Sequence, residues 1–172
     1  MDQVIAGAGQ MNSDGKPSYC FEGIKASPKE FQYRNKMEYS FGDEYKEGPL
    51  ALGFHKKNRI YDVLTARDCI IVHEDLNKIL SCVLEYFRSQ SGIYYHKKTH
   101  EGYLRHLLVR RAEATGTILT ALVTSSQGKL PLDLLIEQIC SLSLEGRVVG
   151  VLHMINDSVA DVVQSDKTKV LW

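Results

Sequence analysis

Over residues 33–41 apolar and polar side chains alternate. Tyr33, Met37, Tyr39 and Phe41 fall on one side of a pleat, and Arg34, Lys36, Glu38 and Ser40 fall on the other. That period of two predicts a half-buried strand. The turn-rich GDEYKEG leads to a second strand near 50–54, and the basic turn HKKNR leads to a third near 60–64, which together read as an antiparallel meander. The period then lengthens. Leu76, Ile79, Leu80, Val83, Leu84 and Phe87 recur at helical spacing behind an acidic first turn, predicting a helix over 75–89 with an apolar stripe that needs a sheet to cover. Segments 103–112 and 117–125, joined by Thr115-Gly116, carry the strongest hairpin signal. A second helix is expected to start at Pro131, bury Leu132, Leu135, Ile136, Ile139 and Cys140, and stop near Gly146. Three β-rich pieces follow, at 148–155, 159–163 and 169–172. The expected fold class is α+β, an antiparallel sheet of meander and hairpins with two packed helices.

Residues 1–27 lack this periodicity and are rich in Gly, Ser and Asp. They read as a loosely ordered segment ahead of one domain at 28–172. With 172 residues, 44% of them hydrophobic, the chain can build one sizeable core. Lys plus Arg equals Asp plus Glu at 21 each, so no global field draws the molecule to a polyanion or a membrane, and such a partner must meet a local patch. No apolar run is long enough to span a bilayer, and the first residues have neither a basic start nor a hydrophobic signal core, so the expected location is cytoplasmic with no membrane partner. Cys20, Cys69, Cys82 and Cys140 are even in number, but two of them fall in predicted helices, which favours reduced thiols over a disulfide framework.

Candidate catalytic chemistry is sparse. Gly7 and Gly9 lack the third glycine and the preceding strand of a dinucleotide fingerprint. His96 and His100 lie in a loop without a third ligand, and no nucleophile stands in a recognisable setting. Cationic side chains are more suggestive. Arg34 and Lys36 share the polar face of the first strand, Lys56, Lys57 and Arg59 crowd one turn, and Lys97, Lys98, Arg105, Arg110 and Arg111 surround the later hairpin. Brought together by a sheet, they would hold a phosphate backbone, with Tyr94, Tyr95 or Tyr103 available to stack on unpaired bases. A solvated surface of no special function is the alternative.

The strings ASPKEFQYRNKMEYSFGDEY (26–45), PLALGFHKKNRIYDVLTARDC (49–69), YLRHLLVRR (103–111) and VLHMINDSVADVVQSD (151–166) resemble the central region of bacterial RNA (uracil-5-)-methyltransferases. These enzymes use S-adenosylmethionine to methylate uridine C5 in rRNA or tRNA. The resemblance runs from about Phe21 onward. It implies a central RNA-recognition domain whose catalytic domain would follow Trp172, so no catalytic residue is assigned and the chain alone would be inactive. The expected RNA-binding residues are Arg34, Lys36, Lys56, Lys57, Arg59, Lys97, Lys98, Arg105 and Arg110, and the expected partners are rRNA or tRNA and the missing catalytic domain. Many family members also hold a four-iron, four-sulfur cluster, and the resemblance places Cys69, in ARDCIIV, at its fourth ligand. The three upstream cysteines are missing, so no cofactor is expected in this chain, while S-adenosylmethionine, and in many members the cluster, serves the intact enzyme. An alternative is a structural spacer that docks the catalytic domain and supplies the one iron–sulfur ligand without binding RNA.

Overall fold

Strand β1 (Lys36–Asp43) buries Met37, Tyr39 and Phe41 while exposing Lys36 and Glu38. The computed structural model describes residues 13–15, 19, 22–59, 61–160, 163, 165 and 167–172. Further along are β2 (Leu50–His55), β3 (Val63–Thr65), α1 (Glu74–Ser89), β4 (Leu104–Arg111), β5 (Thr117–Thr124), α2 (Asp133–Ser141), β6 (Arg147–Ile155) and β7 (Lys167–Val170). The strands form one seven-stranded sheet in the order β3-β2-β1-β4-β5-β6-β7.

The predicted α+β class holds, with one refinement of strand direction. Every neighbouring pair is antiparallel except β5 and β6, which run parallel. The reason is connection chemistry. Gly116 takes φ +64° in the tight turn between β4 and β5, whereas α2 lies between β5 and β6 and returns the chain to the same end of the sheet.

Both helices cover one face. Leu76, Ile79, Leu80, Val83, Leu84 and Phe87 of α1 join Met37, Tyr39, Phe41, Leu52, Leu107, Val109, Ile118 and Leu122 from the sheet in a single core. Each such fully buried side chain stabilises the fold by about 1.5–3 kcal/mol relative to exposure. The His73 Nδ1 accepts from the Asp75 amide at the start of α1, and Glu74 and Asp75 fill the first turn.

Several boundaries differ from expectation. Helix α2 starts two residues after Pro131 and ends at Ser141, because Leu142 turns extended with ψ 137°; Leu135 and Ile139 are buried but Cys140 is exposed. Tyr33 is 56% exposed instead of joining the pleat. The chain ahead of Lys36 has left the register of the sheet to lie beside residues 70–72, with the Gln32 amide donating to the Ile70 carbonyl (3.0 Å), the Arg34 amide donating to the Ile71 carbonyl (2.9 Å), and Arg34 bridging Val72. In the third strand Ile60 lies outside the described residues, and the strand itself is Val63–Thr65. Val159 is exposed and outside any strand, while the final strand begins earlier than expected, at Lys167.

Strand β2 pairs with β1 only over Ser40–Asp43, then peels away to pair with β3 from Gly53 onward. At Gly53 a Cβ would lie 1.9 Å from the Leu64 carbonyl oxygen, so the backbone of β3 occupies that space. The result is a fork. Residues 36–38 keep β4 on one side and have no β2 partner on the other.

Candidate nucleic-acid interface

The fork is a groove of about 510 Å³ lined by Arg34, Lys36, Met37, Glu38, Phe54 and Ile71. The register explains the grouping. Lys36 stands opposite Arg110 of β4, and Arg34 is placed by its bond to the 70–72 segment. Lys36 ion-pairs with Glu38, while Arg34 and Arg110 are exposed and make no ion pair among the described residues. Phe54 on β2 remains 38% exposed, with its ring centroid 5.5 Å from that of the buried Tyr39.

The second group of predicted cations lies elsewhere. Lys56 reaches the Glu44 carbonyl (2.6 Å), Arg59 is 4.0 Å from Asp62, and Lys97 Nζ sits 2.8 Å from His55 Nε2. Lys57 and Lys98 are exposed nearby in sequence. The anchoring of Lys56 on Glu44 puts this turn beside the far end of β1, which at about 3.3 Å per residue is roughly 23 Å from Lys36. The structure therefore divides the predicted cations into a fork group (Arg34, Lys36, Arg110) and a turn group around His55.

Two arginines are corrections. Arg105 is buried, donating to the carbonyls of Asn156 (2.8 Å), Ser158 (2.6 Å) and Ala160 (2.9 Å), with its guanidinium carbon 4.3 Å from the Tyr95 ring centroid. It fastens the segment after β6 and cannot reach a polynucleotide from there. Arg111 is buried against Asp75, its Nε 3.3 Å from Oδ2, with Glu113 and Glu145 at 3.6 Å. Asp75 also accepts from the amides of Glu145 and Gly146, both at 2.9 Å. Burial would raise the Asp75 carboxyl, but those two amides, His73 and Arg111 together hold it below the usual carboxylate range.

The tyrosines expected to stack are likewise committed. Tyr95 and Tyr103 are buried, and Tyr94 is half-buried, its hydroxyl pushed up to about 12 by burial and by its hydrogen bond to Asp43. Phe54 offers an exposed ring within the fork, while Tyr33, Tyr45 and Tyr61 are exposed outside its lining. Sequence reading missed it because LGFH shows only an apolar strand, and the exposure arises from the divergence of β2, a tertiary event.

Cys69 is half-buried at the start of the segment leading into α1, its carbonyl accepting from Asn77 Nδ2 (3.2 Å). Cys69, Cys82 and Cys140 are free thiols, and Cys20 lies outside the described residues. Among the described residues no three His, Cys, Asp or Glu side chains gather so as to hold a metal. A four-iron cluster calls for four thiolates, and the described residues do not fit one. No described helix is long and apolar enough to cross a membrane.

The sheet is mixed, with both helices on one face and the exposed cations Arg34, Lys36 and Arg110 near the fork. The chain is 47% identical over 161 residues to an uncharacterized RNA methyltransferase of Clostridium tetani, covering 94% of this chain and 35% of that protein. It is 44% identical to an uncharacterized RNA methyltransferase of Caldanaerobacter subterraneus subsp. tengcongensis (94% and 36% covered) and 47% identical to another, likewise uncharacterized, of Clostridium acetobutylicum (87% and 33%). The chain spans about a third of the length of these curated relatives. The resemblance to RNA methyltransferases read from the sequence therefore holds along almost the whole chain. No family model matches. Among solved structures, the fold is similar to part of the Pyrococcus abyssi tRNA (uracil-54, C5)-methyltransferase in complex with S-adenosyl-L-homocysteine, at a TM-score of 0.62 and 18% identity, covering 81% of this chain and 31% of that one.

Proposed function

We propose that this chain is the RNA-binding and positioning part of an RNA (uracil-5-)-methyltransferase acting on rRNA or tRNA, with uridine C5 methylation performed by a separate part of the same polypeptide. The supporting observation is the 47% identity, over 94% of the chain, to a third of a protein named RNA methyltransferase. S-adenosylmethionine would supply the methyl group from that separate part. The residues on hand contribute grip. Arg34 and Arg110 offer charge that no acid neutralises among the described residues, and Lys36 can exchange Glu38 for a phosphate. Base flipping into a neighbouring active site needs such a hold on the flanking backbone.

The test is binding of the 172-residue chain to labelled tRNA and 23S rRNA fragments across a salt series. Three phosphate contacts predict a loss of affinity of roughly 20- to 40-fold between about 50 and 200 mM salt. Absence of binding at the low-salt end would remove the proposal. A second reading, a spacer that docks the catalytic part, is favoured by Val149, Val170 and Trp172, which are 46%, 69% and 52% exposed. Under it, Arg34→Gln combined with Arg110→Gln leaves RNA affinity unchanged.

A further inference from the structure

We propose that the fork between β1 and β2 receives one unpaired nucleobase of an RNA strand, stacked on Phe54, with the adjoining phosphates against Arg34, Lys36 and Arg110. This rests on the RNA-binding reading and adds to it a defined subsite with its own ligand chemistry.

The floor of the fork is aromatic. Phe54 keeps more than a third of its surface exposed although its partner ring, Tyr39, is fully buried behind it, so the exposed ring is backed by a rigid layer. Met37 and Ile71 add apolar lining, and stacking on such a surface tolerates any base because each has a π-face.

The groove carries both signs of charge, since Arg34 and Lys36 line it together with Glu38. The Glu38 carboxylate, paired with Lys36, can accept a hydrogen bond from a base N–H, such as the imino group of a uracil. Arg34 approaches from the 70–72 side, and Arg110 stands across β1 beside Lys36, which sets phosphates on the rim and the base within.

The main chain adds donors and acceptors. The Arg111 amide donates to the Asn35 carbonyl, so the odd residues of β1 turn their backbone groups toward β4, and strand alternation turns those of Lys36 and Glu38 the other way, into the fork. Beyond Ser40 those outward groups meet β2; at Lys36 and Glu38 β2 has already diverged. A strand edge left open in this manner can pair with a base edge. It could also pair with an extended peptide, but the three cations at hand favour a polyanion over a neutral peptide.

The experiment measures fluorescence anisotropy of the full 172-residue chain with a labelled oligouridine of about eight nucleotides and, separately, with a blunt RNA duplex, at about 50 mM salt. Phe54→Leu keeps apolar volume and removes the π-face, with folding checked by thermal melting. The expected result is a loss of about 5- to 150-fold for the single strand, the range spanned by one base–aromatic stack, with duplex affinity within about twofold of the parent. Phe54→Trp should restore single-strand binding. Photocrosslinking of 5-iodouridine in the oligomer, mapped by mass spectrometry, should mark Phe54. If the parent chain binds RNA but Phe54→Leu binds the single strand equally well, or crosslinks fall only on the turn around Lys56, the fork is overturned and RNA binding stands. If the parent chain binds neither probe, the RNA-binding reading and the fork fall together.

Discussion

Arg110 and Arg111 are consecutive on β4, yet they live in opposite worlds. Arg110 projects into solvent across from Lys36, with no ion pair among the described residues. Arg111 points to the helix-covered side, where Asp75 meets its Nε and Glu113 and Glu145 flank it. A strand alternates its faces every residue, so one step of the chain separates a ligand-facing cation from a structural one. The lesson reaches the whole basic inventory. The charge of Arg34 and Arg110 is available to a partner, while that of Arg105 and Arg111 is spent inside the molecule.

The sharpest way to break the comparison is to remove the acid that makes Arg111 structural. Asp75→Ala would leave the buried Nε of Arg111 and the amides of Glu145 and Gly146 without their acceptor. Breaking a buried pair of this kind costs about 3–5 kcal/mol. For a domain of this size that lowers the melting temperature by roughly 6–20 °C. Acid should reproduce the loss in the parent chain. The Asp75 carboxyl is held below its ordinary 3.8, so its contribution is fully present above that pH and declines as pH falls through the lower folded-state value. Urea titrations of parent and variant should therefore converge as pH is lowered below about 4 and stay apart at neutrality. A gap that persisted unchanged into strong acid would show that the network is not what stabilises this end of β4.

Arg105→Met is the next largest. It deletes a charged donor that serves three carbonyls at 156–160 and a cation–π contact with Tyr95. The expected cost is about 2–3 kcal/mol, concentrated locally. Amide hydrogen exchange should speed up at 156–160 and in the 94–103 loop, with the centre of the sheet little changed. RNA affinity should not follow. A loss of RNA binding with exchange rates unaltered would return Arg105 to the interface and dissolve the division drawn above.

What the sequence could disclose follows from the range of the forces involved. Periodicity is local, so it located both helices, the 104–124 hairpin and the meander to within a few residues. The direction of β6 depends on where α2 delivers the chain, and the departure of β2 from β1 depends on the backbone of β3 occupying the space beside Gly53. Neither is written in a window of ten residues. The same limit governs the site. Arg34 and Lys36 were legible as neighbours on a polar strand face, but Arg110 joins them through the pairing of β1 with β4, strands separated in the chain by β2, β3 and α1. Arg105 was not legible, because a β-bulge between Leu104 and His106 alters the alternation at that point and three carbonyls from a distant segment close around it. Phe54 was invisible for the reason that makes it interesting: its exposure is created by strands parting.

The smallest expected effect on stability is the most informative about function. Arg110→Gln removes an exposed charge that has no acidic partner among the described residues, and substitutions of that kind usually stay within about 0.5 kcal/mol. Arg111→Gln, one residue away, should cost several times more by stranding Asp75. In RNA binding the order should invert. Arg110→Gln should weaken every RNA probe to a similar degree and flatten the slope of log affinity against log salt by about 0.7–0.9, the share of one phosphate contact. Arg111→Gln should leave that slope alone in whatever fraction remains folded, since its guanidinium is largely buried and already engaged by Asp75, Glu113 and Glu145. Melting curves and salt series on the two variants thus form a crossed pair. If Arg110→Gln leaves the salt slope unmoved, the exposed arginine is an ordinary solvated side chain, and alternation along β4 separates nothing but burial.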